Sequence, residues 1–384
     1  MSAEHNKNHK KLGVYYTMKT ITDGYAEALA ELSKQKENIV VLSADSTEKT
    51  GIKQFAQKHP NRFVQCGKAK QSLIGIAAGI ATEGKIAFAN TCITENCDQL
   101  RLIAHKKLNV KIVDADSSEE DVAIARAFPE FTIIIPADYH EAKKAAIAAA
   151  VMKGPVYLRL GKDKGAVTTE KTPFTIGRVE IIRAGKDCTI LACGTALAEA
   201  IKAAEKLSQQ EIECTVLNCH TIQPLDRHAV TSSARLTGCI VTAEEQRGLG
   251  PAAAELLSEY LPVPVKMCTA DSIEIAKAAK DAVLLKCETI CPEIPEEHGR
   301  MLAPGIQPEL YFKLHGGGAI KSIPGLKKAL LEMSNETFSY HCNDHRNDFG
   351  NWVKDVFREP LLAKQIEKSK TRIGMAIAIT RWLK

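Results

Sequence analysis

Short, almost wholly apolar runs alternate with longer stretches whose apolar residues recur every three or four positions. Residues 38–45, 62–66, 85–89, 110–113, 131–136 and 155–160 read as strands. Helical patterns fall between them. Residues 19–36 place Tyr25, Ala28, Leu29 and Leu32 on one face, with Thr22 or Asp23 as cap. Further helices are predicted over 51–59, from 71, over 97–105 and 119–127, and from Asp138 to Met152 in an alanine-rich stretch. Continuous apolar strands, rather than alternating ones, predict a parallel sheet covered on both faces. A second set repeats the plan. Strands are predicted at 187–194, 213–218, 239–243 and 263–267, with a helix from Thr195 to Leu207 and others at 251–260 and 272–285.

The pattern then changes. Pro292, Pro295, Pro304 and Pro308 interrupt any regular element, and the remainder of the chain is amphipathic and helical, most clearly at 326–333 and 349–356. The expected fold class is therefore α/β, with two consecutive doubly wound, mostly parallel-sheet domains and a small all-α C-terminal domain. Their boundaries are read as a flexible polar tail at 1–15, domains at 16–162 and 172–285, a Pro-containing linker at 286–310, and the helical domain at 311–384.

Bulk properties narrow the function. The chain is 45% hydrophobic and 25% charged, the balance of a soluble globular protein. A net charge of +5 over 384 residues, with both signs interspersed, argues against a nucleic-acid partner. No apolar run is long enough to span a bilayer, and the first residues lack the apolar core of a signal peptide, so a cytoplasmic location without membrane contact is expected. Twelve cysteines, mostly within predicted strands, read as reduced, buried small hydrophobes. Cys287, Cys291 and His298 come nearest to a metal cluster, but their spacing fits no standard zinc pattern, and no metal is expected.

One stretch carries the functional question: Gly67-Lys68-Ala69-Lys70-Gln71-Ser72-Leu73-Ile74-Gly75-Ile76-Ala77-Ala78-Gly79. It lies just after a strand and opens a helix of small residues, where glycines 75 and 79 are expected to let a neighbour pack closely. It resembles the motif of the transketolase pyrimidine-binding domain, G-I-A-E-Q leading into a small-residue helix. Other segments resemble the same family in order. They are Glu83-Gly84-Lys85-Ile86-Ala87-Phe88-Ala89, Asp98-Gln99-Leu100-Arg101, Ile135-Pro136-Ala137-Asp138 and Gly154-Pro155-Val156-Tyr157-Leu158-Arg159-Leu160-Gly161. In the second set they are His220-Thr221-Ile222-Gln223-Pro224-Leu225-Asp226 and Thr242-Ala243-Glu244-Glu245. The resemblance covers about 19–285, the C-terminal half of a transketolase.

That resemblance implies a thiamine diphosphate enzyme, and the departures from it fall on the chemistry. The glutamate that activates the pyrimidine ring is replaced by Lys70, which has no acceptor. A group of that kind is worth about 10²–10⁴ in rate. The aromatic segment after Thr91 is shortened to Cys92-Ile93-Thr94-Glu95-Asn96-Cys97, and the active-site loop to Asp114-Ala115-Asp116-Ser117-Ser118. The family's histidine is Gln246. The diphosphate and its metal belong, in the family, to an N-terminal half whose G-D-G…N signature is absent. No catalytic residue is assigned. The ligand-binding candidates are Lys70, Gln71, Glu95, Asp116 and Gln246, with Glu95 or Asp116 as the carboxylate partner of Lys70, which could otherwise bind an anion or turn to solvent.

The main expectation is a transketolase-like protein with a degenerate site, non-catalytic alone, acting as scaffold or regulator. The alternatives are the C-terminal subunit of a split transketolase, with a separate diphosphate-binding chain of N-terminal type, and a small-molecule sensor. No cofactor is expected for the chain alone; thiamine diphosphate and Mg²⁺ would bind only with such a partner. A homodimer is implied by the family. The tail, with Phe338-Ser339-Tyr340-His341-Cys342-Asn343 and Asn347-Asp348-Phe349-Gly350-Asn351-Trp352, resembles a small microbial domain of unknown function with the pattern F-x-Y-H-x-N…N-D-F-x-N-W. His341, Asp344, His345 and Asp348 are read as caps and polar groups beside a core of Phe338, Phe349 and Trp352 rather than as ligands.

Overall fold

The computed structural model describes residues 19–44, 50–94, 96–115, 120–161, 167–290, 306–343 and 345–383, the side chains of 287–290 excepted. It divides into two compact units. One spans Met1–Asp116 and Pro136–Thr172, the other Ser117–Ile135 and Pro173–Lys384.

The first unit opens with α1 (Ile21–Gln35), whose Tyr25, Ala28, Leu29 and Leu32 are buried as the spacing predicts. Its cap is Thr20, not Thr22 or Asp23. Thr20 Oγ1 accepts from the Asp23 N–H while the Asp23 carboxylate accepts from the Thr20 N–H, a reciprocal box that satisfies two end groups. The chain continues through β1 (Ile39–Ser43), α2 (Lys53–Lys58), β2 (Phe63–Gln65), α3 (Lys70–Thr82), β3 (Ile86–Asn90), α4 (Cys97–His105) and β4 (Val110–Asp114). The next elements, α5 (Asp121–Arg126) and β5 (Thr132–Ile134), belong to the second unit, and α6 (Tyr139–Val151) and β6 (Val156–Arg159) complete the first. Within it, β6, β4, β3, β1 and β2 lie side by side, all parallel. α1 and α6 pack so closely that a Cβ on Gly24 would lie 2.2 Å from the Tyr139 carbonyl oxygen.

The second unit continues with β7 (Glu180–Arg183), β8 (Cys188–Ala192), α7 (Ala196–Ser208), β9 (Cys214–Asn218), β10 (Thr221–Gln223), α8 (Arg227–Thr237), β11 (Ile240–Ala243), α9 (Leu249–Tyr260), β12 (Val265–Cys268) and α10 (Ser272–Ile290). Its sheet runs β12-β11-β8-β9-β7, parallel except at β7, and β10 pairs antiparallel with β5. Three of these elements have no strong sequence pattern. β7 and β10 are short, and α8 is rich in Thr and Ser, with Val230, Ala234 and Thr237 its buried face. α10 runs five residues past Leu285 into the predicted linker, because 286–290 hold no helix breaker before Pro292. Seven of the described cysteines are buried thiols, in keeping with the expected small apolar role.

The tail is helical, with two short antiparallel bridges. It comprises β13 (Phe312–Lys313), β14 (Ala319–Ile320), α11 (Ile323–Glu332), α12 (Asn335–His341), β15 (Cys342–Asn343), β16 (Arg346–Asn347), α13 (Asp348–Phe357), α14 (Pro360–Lys368) and α15 (Arg372–Trp382). Phe338, Phe349 and Trp352 lie in one core with Leu326, Leu330, Met375 and Ile379. His341 Nε2 accepts from the His315 N–H at 2.9 Å and its Nδ1 meets the Asp348 carboxylate at 3.1 Å, so both ring nitrogens serve the local fold. Asp344 lies outside the described residues. The tail docks on the second unit at both ends of α15. The Glu211 carboxylate accepts from the Lys370 N–H at 2.7 Å and from the Ser369 and Thr371 hydroxyls, and Arg381 pairs with the buried carboxylate of Asp187.

Candidate functional site

In the first unit all strands point one way, so their carboxyl ends share one edge, where open α/β sheets bind ligands. Each of four adjacent strands ends there in a polar residue: Ser43, Asn90, Asp114 and Arg159, on β1, β3, β4 and β6. Register lines them up, Ser43 with Asn90 and Asp114 with Arg159. All four are buried. The Asn90 amide donates to the Leu42 carbonyl at 3.1 Å, the Tyr157 hydroxyl donates to the Asp114 carboxylate at 3.3 Å, and Arg159 Nη1 donates to the Leu160 carbonyl at 2.6 Å. Asp114 and Arg159 thus set opposite charges on neighbouring strands, and Arg159 Nη1 also donates to the Asp114 backbone carbonyl at 3.5 Å.

Lys70 reaches this edge from β2. The Cys66 N–H donates to the Ser43 carbonyl at 2.9 Å, and the next turn delivers Lys70 as the first residue of α3. Lys70 is half-buried and Gln71 exposed. No carboxylate stands in the first turn of α3, and its cap residue, Ala69, makes no side-chain bond to it. The helix therefore opens with an ammonium at its positive end. The buried stripe of α3 is Leu73, Ile74, Ala77, Ala78 and Ala81. Gly75 and Gly79 fall on the opposite face, where a Cβ on either would meet nothing within 4 Å, and Ile76 beside them is 42% exposed. The expected close packing through these glycines is thus absent among the described residues, because 3.6-residue periodicity turns them away from the sheet.

Gln246 lies in the second unit, half-buried in the turn after β11. That turn is held by Glu244, whose carboxylate accepts from the N–H groups of Gly248, Leu249 and Gly250 at the start of α9. Thr195, predicted to cap α7, instead donates its hydroxyl to Glu245. Glu95 and Asp116 lie outside the described residues, as do Cys291, His298 and the side chain of Cys287. The sequence reading missed Asn90, Asp114 and Arg159 as site residues. Their signal was present: each is the polar residue that ends an apolar strand.

Residues 17–166 match the transketolase pyrimidine-binding domain and residues 177–290 the transketolase C-terminal domain. The chain belongs to the transketolase family. It is 39% identical over 267 residues to the 6-deoxy-6-sulfo-D-fructose transketolase subunit SqwH of Clostridium sp. (strain MSTE9), covering 64% of this chain and 83% of that one. It is 37% identical over 272 residues to a putative transketolase C-terminal section of Methanocaldococcus jannaschii, covering 65% and 84%. Among solved structures it resembles a split-gene transketolase described as an inactive beta4 tetramer, with TM-score 0.65 and 35% identity over 70% of this chain and 99% of that one. Transketolases depend on thiamine diphosphate, and in split forms the diphosphate-binding part is a separate chain. The first residue of α3 does not fit the activation of that cofactor's pyrimidine ring. Ring activation needs a carboxylate acceptor, and α3 opens with a donor-only lysine.

Proposed function

We propose that this chain is the C-terminal-type subunit of a split transketolase, pairing with a separate diphosphate-binding chain and forming a homodimer of its own kind in the cytoplasm. The observation that carries the reading is its match to transketolase subunits and sections over 83% and 84% of their length. The outward face of α3 supports it. Ser72, Gly75, Ile76 and Gly79 are all exposed and small or apolar, a surface that another chain's backbone can approach closely. Alone the chain is non-catalytic. In the pair it contributes scaffold and crevice, with Lys70 where an acid is required. The domain plan of 16–162, 172–285 and a helical region at 311–384 belongs to the same proposal.

Tagged purification from the native host, with partners identified by mass spectrometry, tests it, together with calorimetry using thiamine diphosphate and Mg²⁺. The expected result is a stoichiometric partner with a diphosphate-binding domain, and cofactor binding by the pair only. Recovery of the chain without such a partner would overturn the subunit reading in favour of a scaffold or regulator.

A further inference from the structure

We propose that the joint between the tail and the second unit holds a binding site for a small organic anion, an oxyanion head on a short apolar body. The site lies where the end of α8, α10 and α15 meet, and it encloses a cavity of about 200 Å³. Three cations line it: Lys186, Lys286 and Arg381. Arg381 is answered by Asp187. Lys286 spends two of its three donors on the Asp187 and Thr237 carbonyls. Lys186 is exposed, and its ammonium makes no hydrogen bond among the described residues. Glu213, a carboxylate that Lys186 acts on electrostatically, is engaged by Arg183 at 3.0 Å and by the Ser208 hydroxyl at 2.7 Å. Three positive charges thus line a cavity with no carboxylate among its described lining residues, Asp187 pairing Arg381 from beside it, which leaves a net attraction for an anion.

The rest of the lining is mainly apolar. Val283 and Ile377 are buried, Leu236 is exposed, and the buried Thr380 hydroxyl, which donates to the Ala376 carbonyl at 2.8 Å, adds one polar group. Pockets for drug-sized ligands run to about 300–1,000 Å³. This one has the room of roughly seven waters at about 30 Å³ each, enough for an oxyanion and a few carbons. Ile377 and Arg381 come from α15, beyond the residues that match transketolase, so the cavity exists only with the tail docked. A ligand here clamps α15 to the second unit.

Isothermal titration of the full chain with butyl phosphate, butane sulfonate and butyrate tests the site, with butanol and inorganic phosphate as comparators. One butyl phosphate per chain is expected, with slowed amide exchange in α15 and no binding of butanol. Lys186→Met is expected to weaken it about tenfold or more, the loss of one charged hydrogen bond. Leu236→Asp, which sets a carboxylate at the mouth, is expected to abolish it. Both positions are exposed, and circular dichroism checks that both variants fold. The assignment is overturned if none of the three anions binds, or if both variants bind as the wild type does. Inorganic phosphate binding as tightly as butyl phosphate would overturn the apolar half of it.

Discussion

Lys111 sits inside β4 with no exposed surface, and its ammonium donates to the carbonyls of Met152 at 2.8 Å and Gly154 at 2.6 Å, at the end of α6 and in the turn before β6. Burial pushes its pKa from 10.5 down to about 7. The folded chain therefore releases this proton near pH 7, while the unfolded chain keeps it until about 10.5. Between those values the unfolded chain binds more protons, so stability rises with pH through the window and carries the full penalty below it. At about 1.4 kcal/mol per pH unit, the window is worth about 5 kcal/mol. The two carbonyl acceptors favour the ammonium, so that figure is an upper bound. Lys111→Met removes the charge but strips both carbonyls of their donor, at about 1–3 kcal/mol each. The two effects nearly offset at and below neutrality, where the penalty is full, and separate above it. Urea-unfolding midpoints measured in parallel from pH 6 to 10 are expected to show the wild type rising more steeply than the variant, the two lying close from pH 6 to 7 and the variant the less stable above pH 9. Every other titrating group is common to both proteins, so the difference isolates this lysine. Parallel curves would refute the reasoning.

Burial likewise holds His220 at about 4, below its ordinary 6.5, stacked on Phe174 with a centroid separation of 4.2 Å. The unfolded chain binds more protons between those values, so stability is lost as pH falls from 6.5 to 4, by about 3 kcal/mol at most. His220→Gln is expected to flatten that part of a denaturation-versus-pH curve. Glu211→Ala removes the acceptor for the Lys370 N–H and the Ser369 hydroxyl, and amide exchange across α15 is expected to accelerate by about 1–3 kcal/mol of lost protection; unchanged exchange would show that the dock is held elsewhere. Glu244→Ala strands three buried N–H groups at the start of α9 and is expected to lower the thermal midpoint by several degrees in calorimetry. Lys70→Glu in the assembled pair is expected to yield no ketol transfer in a coupled sugar-phosphate assay, because the family resemblance implies that the stacking aromatic and the active-site loop are also shortened at 92–97 and 114–118; a gain of turnover would show that the lysine alone silences the site.

The amino-acid sequence by itself determined the two β/α sets, the helical tail with its aromatic core, and the family. These features are written locally. A continuous apolar run is a strand, a three-to-four-residue period is a helix, and a motif is a short string. Weak local signals were lost, as at α8, whose Thr- and Ser-rich sequence forms a helix only against its packing partners. Tertiary structure alone decided which distant residues meet. Ser43, Asn90, Asp114 and Arg159 lie at intervals along the chain and become one buried row only through strand order and register. The outward turn of Gly75 and Gly79 is set by which stripe of α3 the sheet covers. Glu211 and Asp187 gain their roles from α15, more than 150 residues away. Such contacts depend on where crossovers and docking bring surfaces together, and no window of sequence contains both partners.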